Sequence, residues 1–229
     1  MGNLAESLLE ELTAETAFTI PIFGGIDVAE SVVITWVIMA ILLILTLIFT
    51  ANLRVEHPGK RQVAVEFIVS SLQNIVKGII GEEGIRYVPY LTTVLVYIGF
   101  ANIFGIFGMK PPTKDLNVTA ALAIMSIVLV QAAAIHAKGT KGWLCGFGQP
   151  IAVVAPINVL ELFIRPLSLC MRLFGNVVGA FVVMKLIEAV VPVVIPVAFS
   201  LYFDFFDGFI QAYVFVFLSS LFIKEAIEV

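Results

Sequence analysis

Charge is scarce in this chain, and so are the residues of soluble enzyme chemistry. Only 13% of the 229 positions are charged, and there are two cysteines and two histidines. Cys145 and Cys170 lie far apart and form no CxxC pair, so their spacing argues for free thiols rather than a disulfide or a thiolate metal site. His57 and His136 stand alone, outside any HExxH pattern, and there is no GxSxG nucleophile elbow. An intramembrane hydrolase therefore lacks its nucleophile and base. No phosphate-cradling GxxxxGK[ST] occurs, which leaves nucleotide chemistry to partners. No basic patch with interleaved aromatics occurs either, so nucleic acid is not an expected partner. Residues 1–28 carry Glu6, Glu10, Glu11, Glu15 and Asp27 without one Lys or Arg, and so lack the positive start of a signal peptide.

What is abundant is apolar surface. Hydrophobic residues make up 60% of the chain and mean hydropathy is +1.07. Several apolar runs exceed the roughly 18 residues that mark a bilayer span. The runs are continuous and do not alternate with period two, which predicts helices rather than barrel strands. The expected fold is thus an all-α integral membrane protein, a single membrane domain over 1–229. It has three parts: an external segment at 1–28, three spans and an interfacial helix at 29–149, and an inclined hairpin at 150–229.

Spans are expected at 32–51, 88–109 and 117–137. Between the first two, residues 63–80 place an apolar stripe beside Glu66, Gln73, Asn74 and Lys77, the pattern of an amphipathic helix lying at the interface. Basic residues at 54, 60, 61, 77, 86, 138, 141 and 224 fall on one side of this layout, with Lys110 and Lys114 on the other. The bias predicts five crossings, N-terminus outside and C-terminus in the cytoplasm. Residues 150–190 and 192–224 would make helices of roughly 60 and 50 Å, too long to stand upright in about 30 Å of hydrocarbon. Tilting, or kinking at Pro166, with a turn at Pro192 and Pro196, predicts two long inclined helices.

Arg172 lies in the apolar run 166–183, and a guanidinium at membrane depth costs several kcal/mol unless it faces protein or water. It cannot escape by losing its proton. At about 100° per residue, Glu161, Arg165, Ser168, Arg172 and Asn176 share one stripe, continued by Gly179. Glu161, Arg165 and Ser168 are read as the structural part of that stripe. Gly175 and Gly179 leave room for another helix to come close. Asp204, Asp207 and Gln211 share a face of the next helix, while Lys185 and Glu188 sit three residues apart on the first. These two groups suggest two hydrated paths meeting at one positive charge, although Lys185 and Glu188 equally suit a pair that snorkels to the surface.

The run RPLSLCMRLFGNVVGA closely resembles the arginine-bearing helix of subunit a of F-type ATP synthases, and FDGFIQAYVFVFLSSLFI resembles the last helix of that family. GEEGIRYVPYLTTVLVYIGFANIFG, PPTKDLNVTAALA and PINVLELFIRPLSL match it in order and spacing, so the resemblance covers most of the chain beyond about residue 50. It implies a stator subunit with two aqueous half-channels that pass protons, or in an alternative version sodium ions, against a rotating ring of c subunits. It also implies a b-subunit peripheral stalk, a catalytic ATPase head as partner, a plasma-membrane location and no cofactor of its own. Arg172 matches the family's essential arginine, and Asn176 and Gln211 match polar residues lining the route. Two positions depart from the pattern. Phe181 stands where many members have glutamate, and Asp204 where some have histidine, so Glu188 is expected to take over part of the missing role. A secondary ion-coupled transporter is the competing class, but the matching halves of an inverted repeat are not seen.

Overall fold

The computed structural model describes residues 16–21, 26–51, 53–54, 58–107, 111–146, 155–190 and 199–228, without the side chains of residues 20, 26, 106, 107, 188–190 and 204. Glu188 and Asp204 therefore have described backbones only. Lys110, Pro192 and Pro196, with the turn expected there, lie outside the described residues.

Helices dominate, as expected. A short antiparallel hairpin, β1 (Thr16–Ile20) with β2 (Ile26–Ala29), precedes them, so part of the acidic N-terminal segment is folded. Then follow α1 (Glu30–Thr50), α2 (Lys60–Ile80), α3 (Val88–Ile103), α4 (Leu116–Gly146), α5 (Ala155–Val190) and α6 (Gly208–Ile227). A wider π-helical segment, Leu201–Asp207, leads into α6. Five helical stretches are long and apolar enough to cross a membrane: α1, α2, α4, Ala155–Ile187 within α5, and Leu201–Ile227. This set includes the helix expected at the interface. It leaves out α3, whose 16 residues span about 24 Å before 3-10 turns at Phe104–Phe107 extend it.

The elements follow from local chemistry. Gly81, at φ 79°, ends α2 in a conformation that other residues resist, and its N–H bonds the Lys77 carbonyl. Gly139, at φ 71°, breaks α4 so that its last turns fold back and Trp143 Nε1 donates to Gln131 Oε1 at 2.8 Å. Pro166 does not end α5, which runs on for 36 residues, about 54 Å. At 1.5 Å per residue that helix is longer than the hydrocarbon is thick.

α6 is the centre of the molecule. It packs against α2, α3 and α4, while α5 leans chiefly on α4 and touches α6 more lightly. The core between them contains Val76, Leu91, Ile98, Val130, Leu173, Phe215, Val216 and Ile223. α3 and α6 come very close at Gly208, where an added Cβ would stand 2.8 Å from Asn102 Cβ. That closeness lets Asn102 Nδ2 donate to the Gly208 carbonyl at 2.9 Å.

Candidate functional site

α5 and α6 run antiparallel, which two polar contacts fix at two levels. Arg165 reaches Glu225 at 3.0 Å near one end, and Asn176 Nδ2 donates to Gln211 Oε1 at 2.6 Å farther along. Arg172 sits one turn from Asn176 on the same side of α5. Its guanidinium is exposed and makes no hydrogen bond or ion pair with any described residue. The stripe read from the sequence is present: Glu161, Ser168, Arg172, Asn176 and Gly179 are all exposed, and Arg165 is half-buried. Only Leu169, Cys170 and Leu173 turn inward in that stretch.

The surroundings of Arg172 are apolar but uncovered. Phe163, Leu167 and Met171 are 66%, 60% and 51% exposed, values suited to lipid or to a partner's helices rather than to water. Gly175 and Gly179 meet nothing within 4 Å where a Cβ would be, so the close approach expected of them is not made within the described chain.

Gln211 is the buried half of the contact, 3% exposed, and its Nε2 has no hydrogen-bond partner among the described residues. An orphaned buried amide is uncommon and needs a reason. It leaves a buried polar atom next to the Asn176 contact.

Beyond Arg172 toward the C-terminal end of α5, the antiparallel pairing brings Lys185, the Glu188 backbone, Asp207 and the Asp204 backbone to the same end. The two groups expected as separate paths thus lie on one side of the arginine. The backbone from Asp204 to Asp207 is π-helical, with more residues per turn than 100° spacing assumes. Asp207 is half-buried there. Thr113 Oγ1 donates to Asn102 Oδ1 at 2.9 Å, and Asn102 holds Gly208, so a short polar chain reaches the end of the π segment.

Lys114 was expected as an exposed cation outside the membrane. It is instead buried, 8% exposed, in the 3-10 turn Pro112–Lys114, with Nζ 3.3 Å from the centre of the Phe181 ring. Lys185 Nζ lies 5.7 Å from the same ring. Asp115, next in the chain, accepts from Ser31 Oγ and ties this turn to α1. Sequence reading missed Lys114 because PPTKD carries the composition of a surface turn.

The opposite end of the helix pair holds the second charged cluster. Arg165 Nη2 bridges Glu161 at 2.9 Å and Glu225 at 3.0 Å, and its guanidinium lies 4.9 Å from the Phe222 ring. The pairing with Glu161 is the i,i+4 contact the sequence implies, while Glu225 was not anticipated. Glu161, Arg165 and Glu225, with Gln131, Lys138 and Asn158, line an open cavity of about 200 Å³ between α4, α5 and α6. Glu161 and Arg165, read as structural from the sequence, therefore also border a cavity with room for several waters. Among the described residues no group of His, Cys, Asp and Glu is placed to hold a metal ion.

The geometry is an arginine without a partner among the described residues, on an open helix face with a polar cluster toward each end, and known proteins share the sequence that builds it. The family model described as ATP synthase A chain matches residues 32–224. An ATP synthase subunit a from Moorella thermoacetica is 37% identical over 202 residues, covering 87% of this chain and 91% of that protein. One from Geotalea daltonii is 34% identical, covering 87% and 88%. An ATP synthase subunit a 2 from a Bradyrhizobium species is 30% identical, covering 89% and 91%. A multi-pass membrane chain that matches this family across more than four-fifths of its length belongs to it: the protein is a member of the ATP synthase subunit a family, the membrane subunit of F-type ATP synthases.

Proposed function

We propose that this subunit is the stator of a rotary ATP synthase and provides two aqueous half-channels for protons, with Arg172 facing the carboxylate of a rotating c ring. The observation that carries this reading is the exposed Arg172 guanidinium on an apolar face of α5, without a partner among the described residues. A carboxylate brought by a neighbouring ring supplies the missing counter-charge.

The mechanism follows from the cost of charge in hydrocarbon. A ring carboxylate must be neutralised to face lipid, because an unpaired anion there is very expensive. Beside Arg172 the carboxylate favours its ionised form and gives up its proton. The proton leaves by one half-channel, the ring turns, and another loads from the other. The arginine also repels protons that would cross directly, and a potential biases the cycle by about 2.3 kcal/mol per charge per 100 mV.

The Glu161–Arg165–Glu225 cavity suits one half-channel, on the cytoplasmic side in the N-out, C-in topology we favour. Asp204, Asp207, Lys185 and Glu188 suit the other, with Asn176 and Gln211 carrying the seam to Arg172. Ser168 stands on the stripe between the two. The b-subunit stalk and the catalytic head complete the machine, and the ATP chemistry is theirs.

The test is Arg172→Ala in the whole complex, reconstituted in vesicles with an imposed proton gradient. Synthesis should vanish while the subunit stays assembled, and retained coupled synthesis would refute the assignment. Sodium dependence of synthesis by the unmodified complex would replace the proton with sodium.

A further inference from the structure

We propose that Lys114 is a gating residue: with the Phe181 ring it closes the α5 side of the outer passage, so that ions reach Arg172 along the π-helical side, past Asp207. The inference rests on the half-channel reading above and adds the route to it.

Three observations converge on this place. The turn that carries Lys114 is drawn into the fold, with Thr113 fully buried and Lys114 only 8% exposed, although a lysine on a turn ordinarily stands in water. Its Nζ lies 3.3 Å from the Phe181 ring centre, closer than the usual reach of a cation–π contact, and Lys185 approaches the same ring from the next turn. α5 at this level thus presents an aromatic ring flanked by two ammonium groups. On the α6 side, a wider turn carries a half-buried carboxylate, Asp207, and the Asn102 amide holds the first carbonyl after it. A proton or hydrated cation moving along the α5 side meets an aromatic ring packed between two lysine side chains, whereas the α6 side offers a carboxylate and hydrogen-bonding groups.

Anchoring makes Lys114 suitable as a fixed gate. Thr113 is bonded to Asn102 and Asp115 to Ser31, so both neighbours of the lysine are tied to other helices. The ammonium is therefore held by the fold rather than by its own flexible stem.

Thiol accessibility in the reconstituted complete complex tests the route. In a background with Cys145 and Cys170 changed to Ser, single cysteines are placed at Val178, one turn from Phe181 toward Arg172, and at Asp207. A small water-soluble methanethiosulfonate is added on the side where the proposed topology puts the Pro112–Lys114 turn. Asp207→Cys should react readily and Val178→Cys slowly. Lys114→Ala should speed the Val178→Cys reaction by about tenfold, the factor that loss of one desolvated cation–π contact allows. The Asp207→Cys reaction should change little. Lys114→Met, which keeps the stem and the packing, should act as Lys114→Ala does, and Lys114→Arg should keep the gate shut. Val178→Cys reacting as fast as Asp207→Cys with Lys114 in place, or showing no response to Lys114→Met, would overturn the gate and leave the half-channel standing. No reaction at either position in any background would overturn the half-channel on this side, and the gate with it.

Discussion

Replacing Gln211 with leucine should cost function without costing stability. The side chain is 3% exposed, accepts one hydrogen bond from Asn176, and leaves its Nε2 without a partner among the described residues. A hydrogen bond of this kind contributes about 0.5–1.5 kcal/mol net, while a buried unsatisfied donor costs about 1–3 kcal/mol. Leucine of similar size removes both terms, and Asn176, already exposed, regains its bonds from water or a partner. The balance is near zero or favours the variant by about 1 kcal/mol. The same change puts an apolar group in the seam across from Asn176, where the proposed route needs a polar atom.

Two measurements on one preparation check the reasoning. The thermal midpoint of the detergent-solubilised complex should be unchanged or slightly raised. Passive proton flux through the membrane sector, stripped of its soluble head, should fall several-fold, on the scale of about 1 kcal/mol in a barrier. A complex that melts much earlier while conducting normally would show that Gln211 is a packing residue, and would refute the reading of its orphaned amide.

Two more outcomes follow from the same seam. Gly208→Ala forces a Cβ to within 2.8 Å of Asn102 Cβ, so α3 and α6 must separate, at about 1–3 kcal/mol for overpacking; an unchanged melting midpoint with native flux would contradict that tight contact. Asp204→Asn keeps shape but removes a charge, and should slow proton flux, with Asp204→His retaining part of it; undiminished flux in Asp204→Asn would take Asp204 off the path.

The legible parts of this fold are those governed by unbroken periodicity. α5 is one continuous helix from Ala155 to Val190, so 100° arithmetic placed Arg172 and Asn176 on one exposed stripe, with the half-buried Arg165 in line with them. The same periodicity carries no information where the helix itself changes. Across Leu201–Asp207 the backbone takes wider turns, and no period in an aromatic-rich stretch such as LYFDFFD signals that change. Lys114 was hidden for a different reason: its burial is decided by long-range ties, Thr113 to Asn102 and Asp115 to Ser31, which local turn composition does not contain. The β1–β2 hairpin had a local signal, an alternating FTIPI beside a glycine pair, that the acidic character of the segment masked.

Why the charges divide as they do follows from the antiparallel pairing of α5 and α6. Contacts at 165 with 225 and at 176 with 211 place the start of α6 beside the end of α5, so acidic residues near 204–207 and polar residues near 185–188 share one end whatever face each occupies. Arg172 lies between those levels, at neither end. Moving it one turn toward Arg165 would bring it nearer Glu161 and Glu225, carboxylates that would compete for the charge. Its present position keeps the guanidinium clear of every described carboxylate in its own chain, which leaves it open to one supplied from outside. A negative charge introduced one turn away, as in Ser168→Asp, should then pair with Arg172 from within and slow passive flux severalfold even though Arg172 itself is intact. Flux equal to that of the unmodified sector, with Ser168→Asp assembled, would mean that the arginine does not depend on being unpaired in its own chain.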